Sequence, residues 1–167
     1  MRNLIHYTIL FIVLLLAQVL ILNNIHLGGF ATPFLYIWLL LKLPNETPRG
    51  LLITIGFFFG LIIDLFCNTP GMHALATSFL AFMRDPILFL FVPREELKTG
   101  TPSIRSMGFG AFSRYLIVSV VLYCFVLYVI EAFSFFDFPE LLLKIVSSTL
   151  LTLLLMFGIE SLKPSVK

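Results

Sequence analysis

The sequence predicts an all-α polytopic membrane protein, a six-transmembrane-helix bundle with both termini cytoplasmic, and three observations carry that expectation. Hydrophobic residues make up 59% of the 167, and the mean hydropathy is +1.04. Apolar runs of near-spanning length recur along the chain, and a bilayer core of roughly 30 Å needs about 20 apolar helical residues per crossing. The lysines and arginines fall in alternate connections, the pattern that orients membrane helices. One integral membrane domain, 1–167, accommodates all six runs and leaves no room for a soluble catalytic domain. The net charge of +2 is too small, and its cations too dispersed, for nucleic-acid binding.

The first run, residues 4–22, follows Arg2 as a secretory signal would. It is too long for one, and its end, AQVLILNN, lacks a small-x-small cleavage site, so an uncleaved helix is expected. The second run, 30–43, is short, with Pro33 near its start, where the first helical turn tolerates proline. Runs 50–67 and 70–92 flank the tight turn CNTPG and form a helical hairpin. The fourth run is expected to break near Arg84–Pro86, because Asp85 before Pro86 reads as a helix start, and the piece after it would lie in the inner interface. Residues 94–110 form the one long polar connection, and runs 111–133 and 141–159 complete the six.

Orientation follows from charge. Arg2, Lys42, Arg49, Arg84, Arg94, Lys98, Arg105, Arg114, Lys163 and Lys167, ten of the eleven cations, fall on connections or helix ends that face inward. The outward connections NNIHLGG, CNTPG and SFFDFPE contain none, and Lys144 lies a turn inside the sixth run. Cys67 and Cys124 sit at unmatched depths and read as free thiols. No CxxC, HExxH or His/Cys cluster suggests a metal site, no cofactor is implied, and His6, His26 and His73 lie near helix ends where interfacial solvation accounts for them.

Asp64 is the conspicuous residue. It lies about three residues, roughly 5 Å, from the outer end of the third run. Gly56, Gly60 and Asp64 recur every fourth residue on one helix face, with Asn68 a turn further on. Two glycines in that register admit another backbone closely, and a carboxylate on the same stripe should face protein or a water-filled recess. Two readings stand side by side. In one, the glycines pack helices and Asp64 accepts backbone N–H bonds at the start of the next helix. In the other, Asp64 shapes an outward site for a partner or ligand, with His73 nearby.

Other charges lie at the inner side. Arg84 and Arg114 are expected to snorkel to lipid phosphates, with Asp85 and Glu160 at a depth to pair with them as a charge network. Glu131 and Lys144 would bridge the fifth and sixth helices at their outer ends. An intramembrane enzyme would need acids, Ser/His or metal ligands converging at one depth, and nothing converges on Asp64 and His73, so no catalytic role is expected.

The pattern G-x-x-x-G-x-x-x-D, then a turn and G-x-x-A-L, here Gly60, Asp64, Gly71, Ala74 and Leu75, resembles the MreD family of bacterial rod-shape-determining membrane proteins. The resemblance extends over nearly the whole chain, through the early first helix, the proline-started second helix TPFLYIWLLLKLP and the basic inner loop. It implies a non-enzymatic subunit of the cell-elongation machinery in the bacterial cytoplasmic (inner) membrane, supporting cell shape and lateral peptidoglycan synthesis. The implied partners are membrane lipid and an MreC-like protein, and through it MreB, RodA and a class B penicillin-binding protein. It also implies a fold similar to the S components of ECF-type vitamin transporters, which makes a small-solute binding subunit the alternative. Carried over by position, Gly60, Asp64, Gly71 and Ala74 are the expected interaction or fold-determining residues. Gly56, Asn68 and His73 join them by geometry.

Overall fold

The computed structural model describes residues 2–20, 31–93, 100–132 and 138–161. The connection NNIHLGG with His26, residues 133–137, and Arg94, Lys98, Lys163 and Lys167 lie outside the described residues. Six helices follow in order: α1 (Arg2–Leu20), α2 (Ile37–Leu41), α3 (Arg49–Cys67), α4 (Met72–Phe91), α5 (Ile104–Ala132) and α6 (Phe138–Ser161), with no strand among the described residues. Four of them, α3, α4, α5 and α6, are long and apolar enough to cross a membrane, and α1 contributes a shorter apolar stretch, Ile9–Leu20.

The second run departs from expectation. Only Ile37–Leu41 is helical, and residues 31–36 are not. This short element is also the most enclosed: every side chain from Pro33 to Leu43 is buried. A non-helical backbone survives at membrane depth only where protein supplies its hydrogen bonds, and here other helices do so. Thr32 N–H donates to Ser148 Oγ and Phe34 N–H to Thr152 Oγ1, each at 3.0 Å. Gln18 uses both ends of its amide, donating to the Pro33 carbonyl at 2.8 Å and accepting from Leu35 N–H at 3.0 Å. At the other end Lys42 reaches Glu160. Thr32, Phe34 and Lys42 thus meet Ser148, Thr152 and Glu160 in the same order, so the segment runs alongside α6 in the same direction.

α4 does not break near Arg84–Pro86, as the Asp-Pro pair suggested, but continues to Phe91 with Pro86 inside it. Proline removes one N–H and leaves the carbonyl four residues back without its intrahelical partner. Pro86 and Phe82, the residue that owns that carbonyl, are both exposed on the outer side of α4, so the defect stays out of the packed interior. The last part of the expected polar connection is helical as well, since α5 begins at Ile104. Ser103 and Ser106 cap this start reciprocally, with Ser106 N–H donating to Ser103 Oγ at 3.2 Å and Ser103 N–H to Ser106 Oγ at 3.0 Å. The helix is interrupted at Gly108, whose φ of 77° and ψ of 157° belong to a region that only glycine occupies freely.

The core gathers around α2: Tyr36 to Leu41, Leu80 and Ala81 from α4, and Phe112, Tyr115, Leu116 and Val120 from α5 are almost wholly buried. The outside is apolar too. Ile9, Val13, Leu16 and Leu20 on α1, and Leu142, Val146, Leu150 and Leu154 on α6, form exposed stripes. Continuous apolar faces of this kind suit hydrocarbon, not water.

Candidate functional site

The α3–α4 hairpin positions the first group of residues. Gly56 and Gly60 face α4, where a Cβ on Gly60 would overlap the Thr77 hydroxyl, Ala74 Cα and the His73 carbonyl. A Cβ on Gly56 would lie 2.9 Å from the Thr77 carbonyl oxygen and 3.1 Å from Ala81 Cβ. The glycine stripe is therefore an internal contact, matched by a ridge of small residues, Ala74, Thr77 and Ala81. Thr77 Oγ1 lies 2.7 Å from the Gly56 carbonyl across that contact and 2.6 Å from the His73 carbonyl, so its one proton is shared between the helices. Sequence reasoning missed Thr77, although its spacing from Ala74 and Ala81 marks the same face.

Asp64 is buried at the end of this stripe. Its Oδ1 accepts from His73 N–H and Thr69 Oγ1, and its Oδ2 from Ala74 N–H, each at 2.9 Å. His73 and Ala74 are the second and third residues of α4, whose N–H groups have no partner within the helix. The carboxylate therefore caps α4 from the end of α3, where the helix dipole also favours it. Asn68 (φ 56°, ψ 39°) and Gly71 (φ 81°) take left-handed conformations that reverse the chain in the turn, which fits an asparagine and a glycine.

Asp64 reaches His73 through the main chain, not the imidazole. The ring belongs to a second group: His73 Nδ1 lies 2.9 Å from the Tyr123 hydroxyl and 3.1 Å from that of Tyr36, and the two hydroxyls hydrogen-bond each other. With one tyrosine donating to the other and the second donating to Nδ1, the two phenolic protons supply two of these three contacts, and the third is a close approach of two acceptors. The Phe34 ring closes over this group, tilted or edge-on to His73 at 5.8 Å, Tyr123 at 5.3 Å and Tyr128 at 6.1 Å. Tyr128 in turn hydrogen-bonds Ser148 at 2.6 Å. Tyr36 and Tyr123 are absent from the sequence-based set because nothing in the spacing of separate runs shows that they meet.

At the opposite end the inner charges are arranged differently from the expectation. Arg84 does not snorkel; it is fully buried and donates to the Leu43 carbonyl, while Tyr115 OH donates to the Leu41 carbonyl at 3.1 Å. These two cap the carbonyl end of α2 as Asp64 caps the N–H end of α4. Asp85 meets Arg84 at 3.4 Å and Arg49 at 3.3 Å. Glu160 pairs with Lys42 at 2.7 Å, a buried contact that also sets the ammonium 4.5 Å from the Phe112 ring centroid. Arg114 is exposed and takes part in none of the described ion pairs. Lys144 pairs within its own helix, with Glu140 at 3.2 Å, instead of with Glu131 across the hairpin.

Cys67 and Cys124 are not joined in a disulfide. Among the described residues no group of His, Cys, Asp or Glu is placed to hold a metal ion. The fold and these clusters define an all-α membrane protein whose buried charges are engaged within the chain, Asp64 and Arg84 on backbone groups and Lys42 with Glu160. In comparisons with known proteins, no family model, no curated protein and no solved structure matches the chain.

Proposed function

We propose that this chain is a non-enzymatic subunit of a bacterial cell-elongation assembly, set in the cytoplasmic membrane and bound to an MreC-like partner, as its resemblance to the MreD family implies. In this reading it crosses six times with both termini inside. The course of residues 32–42 beside α6 supports counting the broken second segment as a crossing. The observation that carries the proposal is the internal use of the intramembrane charges. Asp64 and Arg84 cap neighbouring helices and Lys42 binds Glu160, which is the chemistry of a scaffold that offers its partners mainly apolar helix faces. Gly56, Gly60, Asp64, Gly71 and Ala74 act in it as fold-determining residues.

The test is affinity capture of the tagged, full-length chain from mild-detergent extracts of its native membrane, with mass spectrometry of co-purifying proteins and small molecules. Recovery of an MreC-like protein in near-equal amount is expected; failure to recover one under conditions that keep the bundle monodisperse refutes the proposal. A second reading, a small-solute binding subunit resembling ECF S components, is favoured by one observation. The non-helical residues 31–35 lie against the His73–Tyr36–Tyr123 group through Phe34, and interrupted membrane helices beside polar groups are where transporters hold solutes. A stoichiometric vitamin-sized molecule in the captured material, without the partner, would select it.

A further inference from the structure

Residues 31–36 differ from the helices around them in how they are held. Beyond the first turn of a helix each backbone N–H is bonded within the element, so the element persists when its neighbours shift. Here the N–H groups of Thr32, Phe34 and Leu35 donate to Ser148, Thr152 and Gln18, and the Pro33 carbonyl accepts from Gln18. Three side chains on two other helices, all fully buried, thus do what a backbone ladder does elsewhere. Beneath them lies a group of uncharged polar side chains, Tyr36 immediately before α2, His73 on α4 and Tyr123 on α5, with the Phe34 ring over it. The group sits at the end of the bundle that carries the α3–α4 turn.

We infer that residues 31–35 are a strap over the His73–Tyr36–Tyr123 group, fastened by Gln18, Ser148 and Thr152, that opens without unwinding any helix. Opening moves Phe34 off His73 and Tyr123 and connects those groups with the nearer membrane face. The inference does not depend on which functional reading holds: a scaffold would use the strap to sense movement of α1 or α6, and a solute-binding subunit would use it to admit its ligand.

Hydrogen exchange of the unaltered protein in lipid nanodiscs, read by mass spectrometry, gives the first test. The amides of Thr32, Phe34 and Leu35 should exchange at least about tenfold faster than those at 56–63 of α3, although the strap's side chains are the more buried set. Equal protection overturns the strap. The second test removes the fasteners in a chain with Cys67→Ala and Cys124→Ala. A membrane-impermeant maleimide should label Leu35→Cys at least about tenfold faster when Ser148→Ala and Thr152→Val are combined, and Thr152→Ser should keep the original rate. Ile63→Cys, also buried but in α3, should not change. A parallel rise at position 63 means general loosening and overturns the inference, as does an unchanged rate at 35. If the doubly altered chain is not recovered folded, the exchange measurement decides alone.

Discussion

Replacing Asp64 with alanine removes the acceptor for three donors at once. Two of them, the N–H groups of His73 and Ala74, are buried main-chain donors in the first turn of α4 with no alternative partner in that helix. Each such donor left unsatisfied costs about 1–3 kcal/mol. The third, the Thr69 hydroxyl, is only partly buried and can turn to water, so its loss is set near zero. Loss of a negative group at the helix N-terminus adds about 0.3–1 kcal/mol. The expected total is about 2–7 kcal/mol, and Asp64→Asn, which keeps one acceptor oxygen, should cost about half as much. Equilibrium unfolding in mixed micelles of rising SDS fraction, followed by circular dichroism, measures both. An alanine variant within about 0.5 kcal/mol of the parent would refute the capping role, since that is the scatter of substitutions away from any structural feature.

Gly60→Ala should destabilise by about 1–3 kcal/mol and more than Gly56→Ala in the same unfolding assay, because the Gly60 Cβ would overlap α4 backbone whereas the Gly56 Cβ meets atoms at 2.9 and 3.1 Å. Lys42→Met alone should cost about 3–5 kcal/mol by removing the cation from a buried ion pair, and Lys42→Met with Glu160→Leu should recover most of the loss, as a double-mutant cycle reports. Arg84→Met should lower the thermal midpoint more than Arg114→Met, since Arg84 is buried and caps α2 while Arg114 is exposed. Glu140→Gln, which breaks only the partly exposed helical pair with Lys144, should change stability by less than about 0.5 kcal/mol.

The readable part of the fold was the part written in local pattern. The helices α1, α3 and α6, and the turn about CNTPG, lie within a few residues of the apolar runs read from the sequence, because such runs and a turn with Asn68 and Gly71 specify themselves. The Gly56, Gly60, Asp64 stripe was legible as one helix face for the same reason. Its destination was not: whether that face meets a partner, a ligand or the chain's own next helix depends on where α4 lies. The break expected at Pro86 failed because proline's effect depends on what surrounds the lost hydrogen bond, and here the defect is turned outward.

By itself the sequence determined the all-α class, the apolar spans and the register of the small residues, since each follows from the period of residues close in the chain. Only the tertiary structure decided how the buried polar groups pair. Gln18 with residues 33 and 35, Tyr36 with His73 and Tyr123, and Lys42 with Glu160 join positions 15 to 118 residues apart. Burial in a medium without water makes each of these groups find a partner, and the packing of helices, not the spacing along the chain, determines which partner is within reach.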